Sequence, residues 1–214
     1  MLLNEQFDEM REKFYASLPA DKLEIFQSSL QQLNDSGITQ NAKQSGDIAP
    51  DFSLANATGE PVTLSERLAK GPVVLTFYRG GWCPYCNLAL RALQVCLPEL
   101  EQKGGSLIAI SPQTPDHSLS TIEKNELEFD VLSDTAGKVA KSYGVLFQLD
   151  DQMRSAYQQF GLDLSKFNGD DSFTLPIPST YVISSDARIV YAYNEVDHTK
   201  RAEPADIMAI LKQI

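Results

Sequence analysis

The chain reads as an α/β domain, a mixed central β-sheet flanked by helices, with an N-terminal helical extension. Three observations predict this. Apolar runs of strand length at residues 73–78, 106–111 and 179–184 alternate with segments whose apolar residues recur at helical spacing. The strand–helix–strand passage between residues 73 and 111 requires a right-handed crossover and so a parallel pair. The short turn Ser185-Asp186-Ala187-Arg188 instead joins strands that run antiparallel. Residues 1–42 show helical periodicity alone. With 214 residues, 43 % hydrophobic and 22 % charged, the chain is long enough for one well-buried domain and an appendage, and its composition is not that of a disordered or fibrous protein.

In chain order, Leu3, Phe7, Met10, Phe14 and Leu18 share one face of a first helix. Leu23, Phe26, Leu30 and Leu33 share a face of a second, with Pro19 between them and Asp35-Ser36-Gly37 as the stop. This sets a helical hairpin at 1–42 and the main domain at 43–214. The hairpin's apolar faces are expected to pack on its own body; a second subunit, giving a homodimer, is the alternative cover. Residues 46–54 and 59–65 read as two short strands across a turn, with a helical turn at Glu66-Arg67-Leu68. The strand at 73–78 is broken by Gly80-Gly81, and Cys83-Pro84-Tyr85-Cys86 opens a helix carrying Leu90, Leu93, Leu97 and Leu100 on one face, kinked at Pro98 and ended by Gly104-Gly105. After the strand at 106–111 come a loop at 112–121, a helix near 120–125, a strand at 129–133 and a helix at 137–144. Residues 145–175 fit the alternation least: 150–159 reads as a helix, 160–174 as a loop, and the whole as a wall beside the functional site. The strands at 179–184 and 189–193 and a helix at 204–211 close the chain.

Chemistry concentrates at Cys83 and Cys86. The first turn of a helix leaves backbone N–H groups unpaired and carries the positive end of its dipole, and both favour a thiolate. With Cys83 at the N-cap and Pro84 at the first helical position, the N–H groups of Tyr85 and Cys86 are expected to face the Cys83 sulfur, and Cys86 is close enough to close a small disulfide ring. A zinc site needs a second ligand pair, and only the scattered Cys96, His117 and His198 remain. Two structural core cysteines fit a Gly-Gly-Trp-Cys-Pro turn poorly. Cys96 is expected in the core, and His117 and His198 in solvated loops. The net charge of −11 argues against nucleic acid and anionic membrane surfaces. No apolar stretch approaches the roughly 18 residues of a membrane span, the first residues do not read as a secretory signal, and three cysteines make no secreted disulfide framework, so the cytoplasm is the expected compartment.

Trp82-Cys83-x-x-Cys86 after an apolar strand resembles the thioredoxin active site, and Cys-Pro-Tyr-Cys is the tetrapeptide of glutaredoxins. Phe77-Tyr78, with Ala49-Pro50-Asp51-Phe52 and Gly59-x-x-Val62-x-Leu64 upstream, resembles the peroxiredoxin (alkyl hydroperoxide reductase/thiol-specific antioxidant) family, in its subgroup with a thioredoxin-type Cys-x-x-Cys. The resemblance runs from about Gly46 to the C-terminus. It implies a thioredoxin-like fold and a Cys83–Cys86 dithiol/disulfide cycle that reduces disulfides, hydroperoxides or both. The electrons would come from thioredoxin or a glutathione/glutaredoxin system, with no cofactor and no metal. It also implies a cis peptide before Pro178, lying against the cysteines, where the Ile177 backbone would pair with an extended substrate. Two alignments assign the cysteines differently: the thioredoxin pattern makes Cys83 the exposed nucleophile, whereas the peroxiredoxin pattern puts Cys86 at the peroxide-attacking position. In the latter, Arg79, Cys83 and Pro178 stand where that family carries Pro, Thr and Arg, which puts its usual transition-state scaffold in doubt.

Arg79 is read either as lowering a sulfur's pKa and binding a peroxide or glutathione carboxylate, or as solvating the mouth of the cleft. Trp82 is read as a lid over the disulfide or as packing under the turn, and Tyr85 as exposed and shaping partner contact. Set against an enzyme stands a non-catalytic thioredoxin-fold binding module, which would keep its partner after both cysteines are replaced.

Overall fold

A computed structural model describes residues 2–214; Met1, at the start of the expected extension, lies outside the described residues. Two helices open the chain, α1 (Leu3–Ser17) and α2 (Ala20–Asp35), followed by a single turn, α3 (Ile38–Asn41). The short antiparallel strands β1 (Ser53–Ala55) and β2 (Pro61–Thr63) lead into α4 (Leu64–Leu68). Then come β3 (Val73–Phe77), α5 (Pro84–Gln102), β4 (Ser106–Ser111), α6 (Pro115–Asn125), β5 (Asp130–Ser133) and α7 (Lys138–Ser142). A hairpin of β6 (Leu146–Gln148) and β7 (Thr174–Pro176) encloses α8 (Asp151–Gln159) and α9 (Leu164–Asn168). The chain ends with β8 (Ser179–Ile183), β9 (Ile189–Asn194) and α10 (Pro204–Leu211).

The central sheet has the order β5-β4-β3-β8-β9; β3, β4 and β5 are parallel, and β8 and β9 are antiparallel to their neighbours. Because side chains alternate along a strand and helices cover both faces, β3 is buried throughout, and its one polar side chain, Thr76, shares a hydrogen bond with the Thr180 hydroxyl. Val74 faces Leu90, Leu93 and Leu97 of α5 and Ile207 and Leu211 of α10, while Val73, Leu75 and Phe77 face Leu64 and Leu68 of α4 and Val139 and Tyr143 of α7. The mixed α/β sheet flanked by helices is therefore the one the sequence predicts.

Helix α5 continues through Pro98, which is exposed on its solvent side. Two local expectations are corrected. Helix α6 begins at Pro115, well before residue 120, because Pro at the first helical position after Thr114 is already shaped for a helix. Within residues 160–174, read as loop, lies α9, and β7 begins at their end. The N-terminal helices pack on the chain's own body: Phe7 of α1 is fully buried in the cluster around α5, and Phe26 of α2 joins Met153, Tyr157 and Leu164.

Candidate active site

The site is the turn from β3 into α5, at the C-terminal edge of the parallel strands where α/β sheets open their crevices. Gly80, at φ +150°, lets the chain fold back so that a side chain there would collide with the Trp82 indole, 2.3 Å from its Nε1. A buried polar network then fixes the turn. The Gly81 N–H donates to Gln113 Oε1 (2.7 Å), Asn87 Nδ2 donates to the Gly81 carbonyl (2.8 Å), and Asn125 Nδ2 donates to Asn87 Oδ1 (3.0 Å). Cys83 is the N-cap of α5 and Pro84 its first residue, as the sequence predicts, but the Cys83 side chain takes no cap hydrogen bond. Both cysteines are buried, Cys83 at 2 % and Cys86 at 0 % exposure, although the turn reads in the sequence as a poor place to bury them.

The two sulfurs differ in acidity. Donation to Cys86 and then burial push the Cys83 thiol well above its ordinary value. Burial alone would raise Cys86 too. The Cys83 S–H, the Arg201 and Arg79 charges and the Arg79 backbone N–H outweigh it and hold Cys86 well below the usual thiol range. Arg201 Nη2 donates to the Cys86 sulfur at 3.2 Å, and Arg201 Nη1 donates to the carbonyls of His198 (2.7 Å) and Lys200 (2.6 Å). Both guanidinium groups are buried, Arg79 at 4 % and Arg201 at 5 % exposure, and among the described residues neither has a carboxylate within ion-pair distance. Buried charges need partners: Arg201 has the Cys86 sulfur and two carbonyls, and Arg79 has the Tyr157 hydroxyl.

A cavity of about 400 Å³ opens over Cys83, walled by α1, α2 and the segment between β6 and β7, with Phe14, Phe26, Trp82, Tyr157, Phe160 and Leu162 among its lining. The segment read as a wall is thus in place. Arg79 stands between the cavity and a smaller one of about 40 Å³, donates to the Tyr157 hydroxyl, and lies 5.0 Å from the Trp82 ring centre. Tyr85 is not exposed: it is buried at 4 %, against Phe7 at 5.7 Å and edge-on to His198 at 5.7 Å. From there it reaches the cavity and not the outer surface. His198 is likewise not a solvated loop residue. It is half-buried, lines both cavities, and is kept neutral to well below the usual histidine range by burial and then by the two arginines. His117 packs on Phe167 at 4.6 Å, and Cys96 is half-buried rather than in the core.

The expected cis peptide is absent: among the described residues every peptide bond is trans. The Ile177 N–H already donates to the Val145 carbonyl (2.9 Å), and its side chain is buried in the core, so the hairpin of β6 and β7 occupies the edge a substrate strand would need. Pro178 does reach the neighbourhood, as part of the lining of the smaller cavity beside Arg79. The sequence reading missed Arg201, Tyr157 and the role of His198. Arg201 sits in an irregular stretch beside Lys200, Asp197 and Glu203, where nothing in the sequence separates a buried guanidinium from a solvated one.

A pair of thiols at a strand-to-helix turn of a thioredoxin-type sheet, one of them with its pKa lowered and a guanidinium on its sulfur, defines a thiol-based oxidoreductase. The chain belongs to the AhpC/TSA family, whose match covers residues 45–192. It is similar to peroxiredoxin Q, chloroplastic, of Triticum aestivum, with 28 % identity over 176 residues, 82 % of this chain and 70 % of that protein. It is also similar to peroxiredoxin Bcp of Escherichia coli K12, with 33 % identity over 105 residues, 49 % of this chain and 67 % of that protein. Its fold resembles that of peroxidoxin BcpB from Mycobacterium tuberculosis, with a TM-score of 0.63 and 24 % identity, covering 80 % of this chain and 97 % of that one.

Proposed function

We propose that this protein is a peroxidase in which Cys86 attacks a hydroperoxide and Cys83 resolves the product. The observation that carries this is the hydrogen bond at 3.2 Å to the Cys86 sulfur from the guanidinium of Arg201, which is buried and among the described residues has no carboxylate within ion-pair distance. The Cys86 thiolate attacks one peroxide oxygen: an S–O bond forms, the O–O bond breaks, and the departing alkoxide takes the proton of the Cys83 thiol. The Cys83 thiolate then attacks the Cys86 sulfenic acid, forming the S–S bond as hydroxide leaves. Two electrons have passed from the sulfurs to the peroxide, and two thiols of a thioredoxin or glutathione/glutaredoxin system restore the dithiol. Cys83, where the family pattern carries Thr, supplies the donor hydrogen itself. Arg201 provides the guanidinium that position 178 does not, and stabilises the charge developing on oxygen as the bond breaks.

Supporting a site built for a polar reacting group, Arg79 Nε, Trp82 Nε1 and the Tyr85 hydroxyl are buried without hydrogen-bond partners, all on residues that line the cavity. The aromatic and aliphatic walls suit a hydroperoxide with an apolar body. A reducing compartment such as the cytoplasm keeps the pair competent. A second reading, disulfide reduction entered through Cys83, is favoured by the fact that Cys83 and not Cys86 lines the cavity.

The experiment mixes reduced protein with one equivalent of cumene hydroperoxide and follows the fluorescence of Trp82, the single tryptophan. In Cys83→Ser we expect a fast reaction that stops at a sulfenic acid, trapped on Cys86 by dimedone. In Cys86→Ser we expect no rate above that of a free thiol. The reverse pattern, with Cys83 alone reacting quickly and preferring a disulfide substrate, would hand the assignment to the second reading.

A further inference from the structure

We propose that Asn4, in the first turn of α1, is a positioning residue for the Cys86 thiolate, acting through Arg201. This rests on the reading of Cys86 as the reactive sulfur. Arg201 belongs to no helix or strand, so nothing in the sheet fixes where its guanidinium points. What fixes it is a clasp. The Asn4 amide group pairs with the Arg201 backbone in both directions: the Arg201 N–H donates to Asn4 Oδ1 (3.1 Å), and Asn4 Nδ2 donates to the Arg201 carbonyl (2.8 Å). A side-chain amide here does what a neighbouring strand would do for a peptide unit, satisfying donor and acceptor together.

The clasp is closed two residues on. The Glu203 carboxylate accepts from the backbone N–H groups of Leu3 (3.0 Å) and Asn4 (2.7 Å) and from Asn4 Nδ2 (2.7 Å), so an anion meets the unpaired amides and positive end of α1. One turn along, Phe7 is fully buried, with its ring centre 5.9 Å from the Arg201 guanidinium. With the backbone held by Asn4 and one face by Phe7, Arg201 Nη1 folds onto the carbonyls of its own loop, and Nη2 is left directed at Cys86. Both halves of the device, residue 4 and residue 201, lie outside the family match at 45–192. The chain thus completes its thiolate site from its two flanking segments.

The test uses the full chain with Cys83→Ser and Cys96→Ser, leaving Cys86 as the single thiol, and titrates thiolate absorbance at 240 nm. Asn4→Ala is expected to raise the Cys86 titration midpoint by about half a pH unit or more and to slow the single-turnover oxidation of Cys86 by cumene hydroperoxide several-fold. Combined with Arg201→Met it should add nothing further, because both act through one group. Glu203→Gln, which keeps one acceptor oxygen, turns the other into an N–H donor and drops the charge, is the second variant should Asn4→Ala fold poorly, and is expected to shift the midpoint in the same direction. A midpoint unmoved by these variants but raised by Arg201→Met overturns the clasp alone. A midpoint unmoved by Arg201→Met overturns the reading of Cys86 on which the clasp depends, and the clasp with it.

Discussion

At the scale of the residue, the site turns on where two positive charges are placed. An isolated guanidinium is costly to bury, and Arg79 meets that cost through the Tyr157 hydroxyl and the Trp82 and Tyr157 rings, at 5.0 and 5.5 Å, while Arg201 relies on two carbonyls and a sulfur. Since the thiolate is the nucleophile, alkylation of Cys86 by iodoacetamide in Cys83→Ser/Cys96→Ser should keep its rate down to a pH well below the ordinary thiol value of about 8.5. Arg201→Met should move that profile upward by about one pH unit or more. An unperturbed profile in the parent would show that the arginines do not hold a thiolate. His198 has the opposite charge preference and its own pH signature. Its folded pKa is depressed by burial and the arginines, so between about 6.5 and that lower value the unfolded chain binds the extra proton. The neutral histidine is therefore without penalty above about pH 6.5 and lowers stability as pH falls below it. Thermal unfolding should lose more on acidification in the parent than in His198→Gln, and equal losses would remove His198 from the account.

At the scale of the element, the turn between β3 and α5 is where sequence and geometry are tied most tightly. Gly80 combines positive φ with contact against Trp82. Gly80→Ala should cost at least about 2 kcal/mol, through backbone strain and displacement of the indole, and shift the Trp82 emission; a variant with unchanged emission and stability would show the turn to be slack. The strands, α5 and the N-cap at Cys83 were legible because each rests on local rules: apolar runs, helical spacing, and Pro at the first helical position. The guanidinium on Cys86 was not, because Arg201 gains its role only when α1 and the 198–203 loop meet, and no local pattern encodes that meeting. The trans peptide at Pro178 was missed for a related reason. Its surroundings are set by the hairpin of β6 and β7, which takes the Ile177 N–H and lies in the stretch 145–175 that fits the alternation least. Tyr85 reads as exposed in the tetrapeptide taken alone, and only the packing of Phe7 buries it.

At the scale of the whole molecule, the sheet carries two helix-covered cores, and a third, smaller apolar cluster builds the chamber over the thiols. That cluster joins α2 to the segment between β6 and β7, through Phe26, Leu149, Met153, Tyr157, Leu164 and Leu175. Phe26 is its hinge pin: its ring lies 5.6 Å from that of Phe14 and 6.2 Å from those of Tyr157 and Phe160, so it touches α1, α2's own face and the wall at once. Tyr157 in turn holds Arg79, which makes this satellite core part of the site's electrostatics as well as of its shape. Phe26→Ala removes a buried aromatic and should cost about 3 kcal/mol, lowering Tm by roughly 6–12 °C for a chain of this size. The loss should be local before it is global. Amide exchange is expected to quicken across α8 and α9 while β3 and β4 keep their protection, since the two sheet cores are untouched. A chamber loosened in this way should also distinguish less between cumene hydroperoxide and hydrogen peroxide, because its apolar walls fit the bulky substrate alone. If exchange quickened evenly through the sheet, the chamber would be one cooperative unit with the domain. If α8 kept its protection, Phe26 would not be what joins the wall to the N-terminal helices.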